Sequence, residues 1–143
     1  MVLKSYSKIN LSLSVNDKLK NGLHEIQSYY CLINLSDKIK ISEIKKKKDK
    51  IFFKGPFVKN IKKSNNSIAN LLKLLRKFKL ISSYYSVNVV KNIPVFSGLG
   101  GGTSNAAFVL KFLLKGRIDA GLLYKVENLI GSDLRLFFIS KGF

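Results

Sequence analysis

The chain is expected to fold as a single α+β domain spanning residues 1–143, and three observations carry that expectation. The early segments alternate apolar with polar residues, the two-residue period of half-buried strands. From Ile68 onward apolar residues recur at spacings of three and four, the period of amphipathic helices. Between the last strand-like run and the helix-like run after it lies Pro94-Val95-Phe96-Ser97-Gly98-Leu99-Gly100-Gly101-Gly102-Thr103-Ser104, with four glycines in five residues. Strands first and helices clustered later is the order of an α+β domain. A domain of this length buries roughly 70% of its unfolded surface, enough for a real core.

Residues 2–15 alternate well: Ile9, Leu11, Leu13 and Val15 point one way, and Lys8, Asn10, Ser12 and Ser14 the other. Lys8 and Asn10 are thereby neighbours, about 7 Å apart along the strand. Residues 16–22 read as a loop, with Asn21-Gly22 as the turn signal. Leu23 to Leu35 reads as a strand carrying His24, Tyr29 and Tyr30, Ser36-Asp37 as a turn, and Lys38 to Ile44 as another strand. Lys45-Lys46-Lys47-Lys48-Asp49-Lys50 repels itself and reads as a solvated loop. Ile51 to Phe53 is a short strand ended by Gly55-Pro56.

Asn65-Asn66-Ser67 is an N-cap cluster, followed by Ile68, Leu71, Leu72, Leu75 and Phe78 at helical spacing. Tyr84 to Val90 reads as the strand entering the glycine run. A helix is expected over Thr103–Leu114, capped by Thr103, Ser104 or Asn105 and ended by Gly116. Asp119 is placed to cap a further helix containing Leu122, Leu123, Val126, Leu129 and Ile130, with Gly131 as its C-cap. Leu134 to Ile139 reads as a final buried strand.

The glycine run has the form of an anion site. Glycine lets the backbone turn tightly and bring N–H groups close to a ligand. A helix N-terminus adds unpaired amides and a positive dipole end. The competing reading is a flexible turn before an ordinary helix. A Walker loop requires Lys after its last glycine, and here Thr103 follows Gly102; the dinucleotide fingerprint requires a third Gly where Thr103 stands.

The formal charge of +18 admits three readings: nucleic-acid binding, anionic small-molecule substrates, or a lysine-biased composition. Only Arg76, Arg117 and Arg135 carry guanidinium forks, so composition plus anionic substrates is favoured over nucleic acid. No apolar run reaches the ~20 residues of a membrane span, and no leader pattern precedes the first strand. Cys31 is alone, which excludes an internal disulfide and a cysteine zinc site and reads as a buried thiol in a reducing cytoplasm. His24, the one histidine, reads as a hydrogen-bonding substrate contact in preference to a metal ligand. Tyr29 and Tyr30 have the rings to stack on a base, but read better as core or cross-strand residues. Phosphoryl transfer needs amide donors, a cation and a carboxylate, which the glycine loop, Lys8 and Asp133 supply. Taken singly, Lys8 is an ordinary strand lysine and Asp133 a turn or cap residue.

Ser7-Lys8-Ile9-Asn10-Leu11, Gly22-Leu23-His24-Glu25, Ile93-Pro94 through Ala107 and Ile130-Gly131-Ser132-Asp133 occur in an order and spacing that resembles the GHMP kinase superfamily, over essentially the whole chain. The resemblance is to the branch that acts on diphosphocytidyl-methylerythritol in isoprenoid synthesis. It implies the superfamily's N-terminal domain, a ribosomal-protein-like βαβ sandwich, with the C-terminal domain outside this chain and a separately encoded C-terminal domain as a candidate partner. It implies ATP with Mg2+, and phosphorylation of the substrate's 2-hydroxyl, weak or lost in this length of chain. By the same resemblance Asp133 is the base and Lys8 its cationic neighbour, Asn10 and His24 touch substrate, and Pro94 through Ser104 wrap the phosphates. Asn66 and Lys91 match positions near the nucleotide, and no metal ligand is assigned. The alternative is a non-catalytic basic nucleotide- or nucleic-acid-binding module on the same fold. Two departures stand out: Leu23 replaces an aromatic platform worth about 1–3 kcal/mol of base stacking, and Leu134-Arg135 replaces Val-Pro after the aspartate.

Overall fold

Alternating residues that share a polar and an apolar side pair into one sheet, and helices with an apolar stripe cover its apolar side. The computed structural model describes residues 1–18, 24–59, 61–62 and 65–138, with backbone alone at position 24. Among these, β1 (Val2–Lys18), β2 (His24–Ile44), β3 (Lys50–Lys54) and β4 (Tyr84–Val90) form a sheet in the order β1-β2-β4-β3. β1/β2 and β2/β4 are antiparallel. β3 and β4 are parallel, as a helical crossover between them requires. The crossover is α1 (Ser67–Lys77); α2 (Gly101–Leu114) and α3 (Ala120–Ile130) follow.

The core lies between the sheet and the helices. Ile39, Val87 and Val89 meet Ile68, Leu71, Leu72 and Leu75 of α1 and Val109 and Leu110 of α2, all fully buried. Each such Leu stabilises the fold by about 1.5–3 kcal/mol relative to an exposed one. Asn66 caps α1 as expected, its Oδ1 accepting the Ala69 N–H at 3.0 Å, while Phe78 is the exposed C-cap residue. Asp119 caps α3, its Oδ1 accepting the Leu122 N–H at 2.7 Å, and Gly131 closes that helix.

Five expectations are corrected. Ser36-Asp37 is no turn: β2 runs unbroken to Ile44, because Asp37 continues the inward phase of Ile39 and Ile41 and its carboxylate is satisfied inside. β1 continues through residues 16–18, expected to be loop, and the Asn21-Gly22 turn lies outside the described residues. α2 starts at Gly101, and its N-cap is Gly100 at φ 70°, without a side-chain cap from Thr103, Ser104 or Asn105; its other end closes before Gly116, through left-handed Lys115 and Gly116. Ser132–Phe138 is a 3₁₀ helix where a strand over Leu134–Ile139 was expected, Ile139 itself lying outside the described residues. Leu134 and Phe137, three apart, both face the core in that helix, and Lys111 Nζ donates to the Phe137 carbonyl. Finally, the apolar side of β1 is not all covered: Leu11, Leu13 and Val15 are exposed on the outer half of the β1–β2 ribbon, as is Tyr29, while Cys31 is half-buried.

Candidate active site

β1 would place Lys8 on the same side as Ser12 and Ser14 if it were regular. It is not: β1 carries an extra residue, Leu11, between Asn10 and Ser12, β2 carries Asn34 and Leu35 unpaired opposite Tyr6 and Ser7, and the consecutive residues Ser7 and Lys8 are both buried. A bulge of this kind re-aims a side chain. The Lys8 N–H donates to the Leu99 carbonyl of the glycine loop at 3.0 Å, so β1 and the loop are stitched at the residue that matters. Lys8 Nζ donates to Asn10 Oδ1 at 3.1 Å and sits 3.2 Å from Asp133 Oδ2. Lys8, Asn10 and Asp133 therefore form one polar group, although 123 residues separate the last two.

Asp133 is brought there by its own turn. Gly131, at φ 146°, lies against α2 so closely that a Cβ would stand 3.2 Å from Thr103 Oγ1. The 3₁₀ helix then sets Phe137 under Gly100, where an added Cβ would come 2.9 Å from Phe137 Cζ and 3.3 Å from Lys8 Cγ. Gly100 is glycine for two reasons at once, a left-handed φ of 70° and no room. Gly101 has no left-handed φ but equally little room, with Ile93 Cγ2 at 2.9 Å and Lys91 Nζ at 3.2 Å from its ideal Cβ.

The loop opens on a cleft of about 510 Å3, lined by Pro94 through Thr103 together with Asn66, Ser67, Lys91 and Asn105. The sequence-predicted loop residues, Asn66 and Lys91 are thus gathered on one concavity. The first amides of α2, at Gly101 to Thr103, lack intrahelical acceptors by helix geometry, and the first turn holds no acid to neutralise its positive end. Ser67 Oγ donates to the Gly102 carbonyl at 2.7 Å, and Ser104 Oγ to the Tyr6 carbonyl at 2.5 Å, so α1, α2 and β1 hold the loop from both sides. Asn66 Nδ2 donates to the Lys62 carbonyl at 3.2 Å while its oxygen caps α1. Phe96 at the loop tip is 92% exposed with φ 59°. The His24 side chain lies outside the described residues. Its backbone pairs with Lys18, six positions along β2 from the Tyr30 that faces Asn10, or about 20 Å away.

One residue of the site was missed in the sequence. Asp37, fully buried, accepts from Lys91 Nζ, from Asn105 Nδ2 at 3.0 Å, and from the backbone N–H groups of Asn92 and Ile93 at 2.8 and 2.9 Å. It joins β2 to the entry of the glycine loop and to α2, and sets the Lys91 ammonium beneath Gly101. Its signal was available: Leu35, Asp37, Ile39 and Ile41 share one phase, so an acid stands in an apolar row. Asn105 Oδ1, also in the cleft wall, is buried without a partner among the described residues.

The arrangement offers amide donors and a lysine in the cleft, and a carboxylate paired to an ammonium held against Leu99 and Gly100 of the same loop. Among the described residues no three His, Cys, Asp or Glu side chains form a metal cluster, and no helix is long and apolar enough to cross a membrane. Comparison with known proteins agrees with this geometry. The profile of the GHMP kinases N terminal domain matches residues 65–131, from the α1 cap to Gly131. A 4-diphosphocytidyl-2-C-methyl-D-erythritol kinase of Pelagibacter ubique is 44% identical over 138 residues, covering 94% of this chain and 48% of the relative. One from Ureaplasma parvum is 34% identical over 140 residues, covering 96% and 52%. A crystal structure of 4-(cytidine 5'-diphospho)-2C-methyl-D-erythritol kinase superposes with a TM-score of 0.71 at 26% identity, over 96% of this chain and 48% of that one. The chain spans about half the length of the relatives it matches. The family model, the relatives and the superposed structure agree on one fold, that of the GHMP kinase N-terminal domain.

Proposed function

We propose that the chain supplies the nucleotide-binding and proton-accepting half of an ATP-dependent kinase for the 2-hydroxyl of 4-diphosphocytidyl-2-C-methyl-D-erythritol. The observation that carries this reading is the Lys8–Asp133 pair at 3.2 Å, held against Leu99 and Gly100 of the glycine loop. ATP fits the residues present: a cradle that a Cβ at Gly100 or Gly101 would fill, unpaired helix amides, and Lys91 beneath them. When bound with magnesium, ATP would supply the phosphoryl group.

In this reading Gly101 to Thr103 donate backbone N–H groups to the phosphates, and Lys91 adds a cation from below. Asp133, one-third exposed, orients the acceptor hydroxyl and takes its proton on a carboxylate oxygen. Lys8 stands beside that oxygen and offsets negative charge as the hydroxyl is deprotonated. Asn10 keeps Lys8 aimed, since its Oδ1 accepts from Nζ. Asn10 and His24 are proposed substrate contacts, and Asn66 sets the wall of the nucleotide cleft by capping α1. An open cleft leaves the reacting groups wet, so turnover by 143 residues alone is expected to be slow.

The test is isothermal titration of the chain with Mg-ATP, paired with a phosphoryl-transfer assay. Weak binding that Gly100→Asp abolishes and Asp133→Asn retains is expected, with any transfer lost in Asp133→Asn. Absence of binding by the unaltered chain, or transfer undiminished in Asp133→Asn, refutes the reading.

A further inference from the structure

The side of the sheet turned away from α1 and α2 takes no part in the cleft. Across the register, Val2, Lys40, Asn88 and Phe52 form one row, and Lys4, Lys38, Val90 and Lys54 the next; Ser42, Ser86 and Lys50 form a third. Residues paired across strands point to the same side. The intervening positions Ile39, Ile41, Val87 and Val89 are buried against the helices, so these rows face outward. Lys4, Lys38, Lys40, Lys50 and Lys54 are all exposed there, and the Lys45–Lys48 run joins β2 to β3 at the margin.

No acid among the described residues stands in these rows. The nearby carboxylates are turned elsewhere: Asp37 into the core, Asp49 onto Arg76 at 3.0 Å, and Glu43 onto Ser83 at 2.6 Å. Lys4 directly opposite Lys38 is a destabilising cross-strand pair that a folded sheet on its own would not favour. Lys46 crowds Lys50 enough to pull the latter's pKa down. In the middle of β3, Phe52 is 50% exposed, flanked along the strand by Lys50 and Lys54, each about 7 Å away.

We propose that this lysine-faced side of the sheet is a second binding surface, and that its ligand is a single-stranded polynucleotide. Unpaired cations call for a polyanion. An aromatic ring exposed between lysines allows a base to stack while phosphates on either side meet ammonium groups. A duplex hides its base faces and gains nothing from Phe52. Lysines without arginine forks read charge, not base edges, so binding is expected to be indifferent to sequence. This surface is independent of the kinase reading, because it uses none of the cleft residues.

The experiment is fluorescence anisotropy of labelled U12 RNA and dT12 DNA with the whole chain, between 50 and 300 mM salt. Five lysines on phosphates predict a slope of log K against log salt of about −3.5. Lys38→Glu/Lys54→Glu is compared with Lys73→Glu/Lys77→Glu on the solvent side of α1, which changes net charge equally. The sheet pair should weaken binding more than about tenfold and the helix pair less than about threefold, with each fold checked by its melting temperature. Phe52→Ala should weaken it about fivefold or more and leave the salt slope unchanged. Either order of the RNA and DNA arms supports the proposal and names its source. Equal losses from the two charge-reversed pairs overturn it, because net charge alone would then explain binding. Tighter binding to duplex, or to phosphatidylserine vesicles, overturns it as well.

Discussion

Replacing Asp37 by Asn should cost this domain a large share of its stability, through the loop it organises. Asp37 is fully buried and its partner Lys91 has a side chain only 3% exposed. The substitution keeps the shape but removes the charge that faces the Lys91 ammonium, and exchanges one acceptor oxygen for an NH2 group that points at donors. Four donors converge on two carboxylate oxygens: Lys91 and Asn105 on Oδ2, Asn92 and Ile93 on Oδ1. Whichever way the amide turns, one pair of donors loses its acceptor. Breaking a buried ion pair by removing one partner costs about 3–5 kcal/mol, against a total stability of about 5–15 kcal/mol for a domain. With an m-value near 2 kcal/mol/M, the urea midpoint should fall by about 2 M. Lys91→Met added to Asp37→Asn removes the stranded charge, and should recover more than half of that loss, since apolar replacement of a whole buried pair is often neutral. A loss under about 1 kcal/mol, or a double variant no more stable than the single one, would refute the claim that this carboxylate holds the loop entry in place.

The two glycines with left-handed φ in the loop should behave differently. Gly100→Ala meets Phe137 Cζ at 2.9 Å and should lower the melting temperature by roughly 6–10 °C, whereas Gly98→Ala, with open space around it, should show only the smaller backbone cost of about 1–2 kcal/mol. Equal shifts would mean that contact with Phe137 does not constrain the loop. Lys111 provides a pH test. Burial lowers its pKa, so the folded chain releases this proton at a lower pH than the unfolded chain does. Its contribution to stability therefore rises with pH from the folded value up to the ordinary lysine value, and Lys111→Met should flatten that part of a urea-midpoint series from pH 8 to 10.5. An unchanged slope would exclude Lys111 as its source.

Periodicity and capping chemistry were enough to read much of this molecule. The α1 stripe from Ile68 to Leu75, the caps at Asn66 and Asp119, and the strand Tyr84–Val90 depend on residues close in sequence, whose geometry is local. The tight packing of the glycine run and the helix that follows it were readable for the same reason, since close backbone approach and helix starts are properties of a few consecutive residues. The order and spacing of its motifs also marked out the superfamily. Asp37 was misread because a polar residue after Ser36 looks like a turn in one dimension. Only the partners supplied by Lys91, Asn105 and the Asn92–Ile93 backbone make it a core residue. The apolar run after Asp133 matched a strand equally well, and its 3₁₀ form is settled by contacts with Gly100 and Lys111.

What the chain determines by itself, then, is which segments are strands and helices, where its glycine loop lies, and how much positive charge it carries. The tertiary structure decides what those parts face. Folding brings Asp133 from near the end of the chain beside Lys8 of the first strand, and sheet pairing gathers lysines scattered from residue 4 to residue 54 onto one open face. Both outcomes depend on contacts between residues far apart in the chain, which no local period encodes. The glycine loop was visible as a loop; its floor of Phe137, Lys8 and Lys91 exists only once the chain has folded.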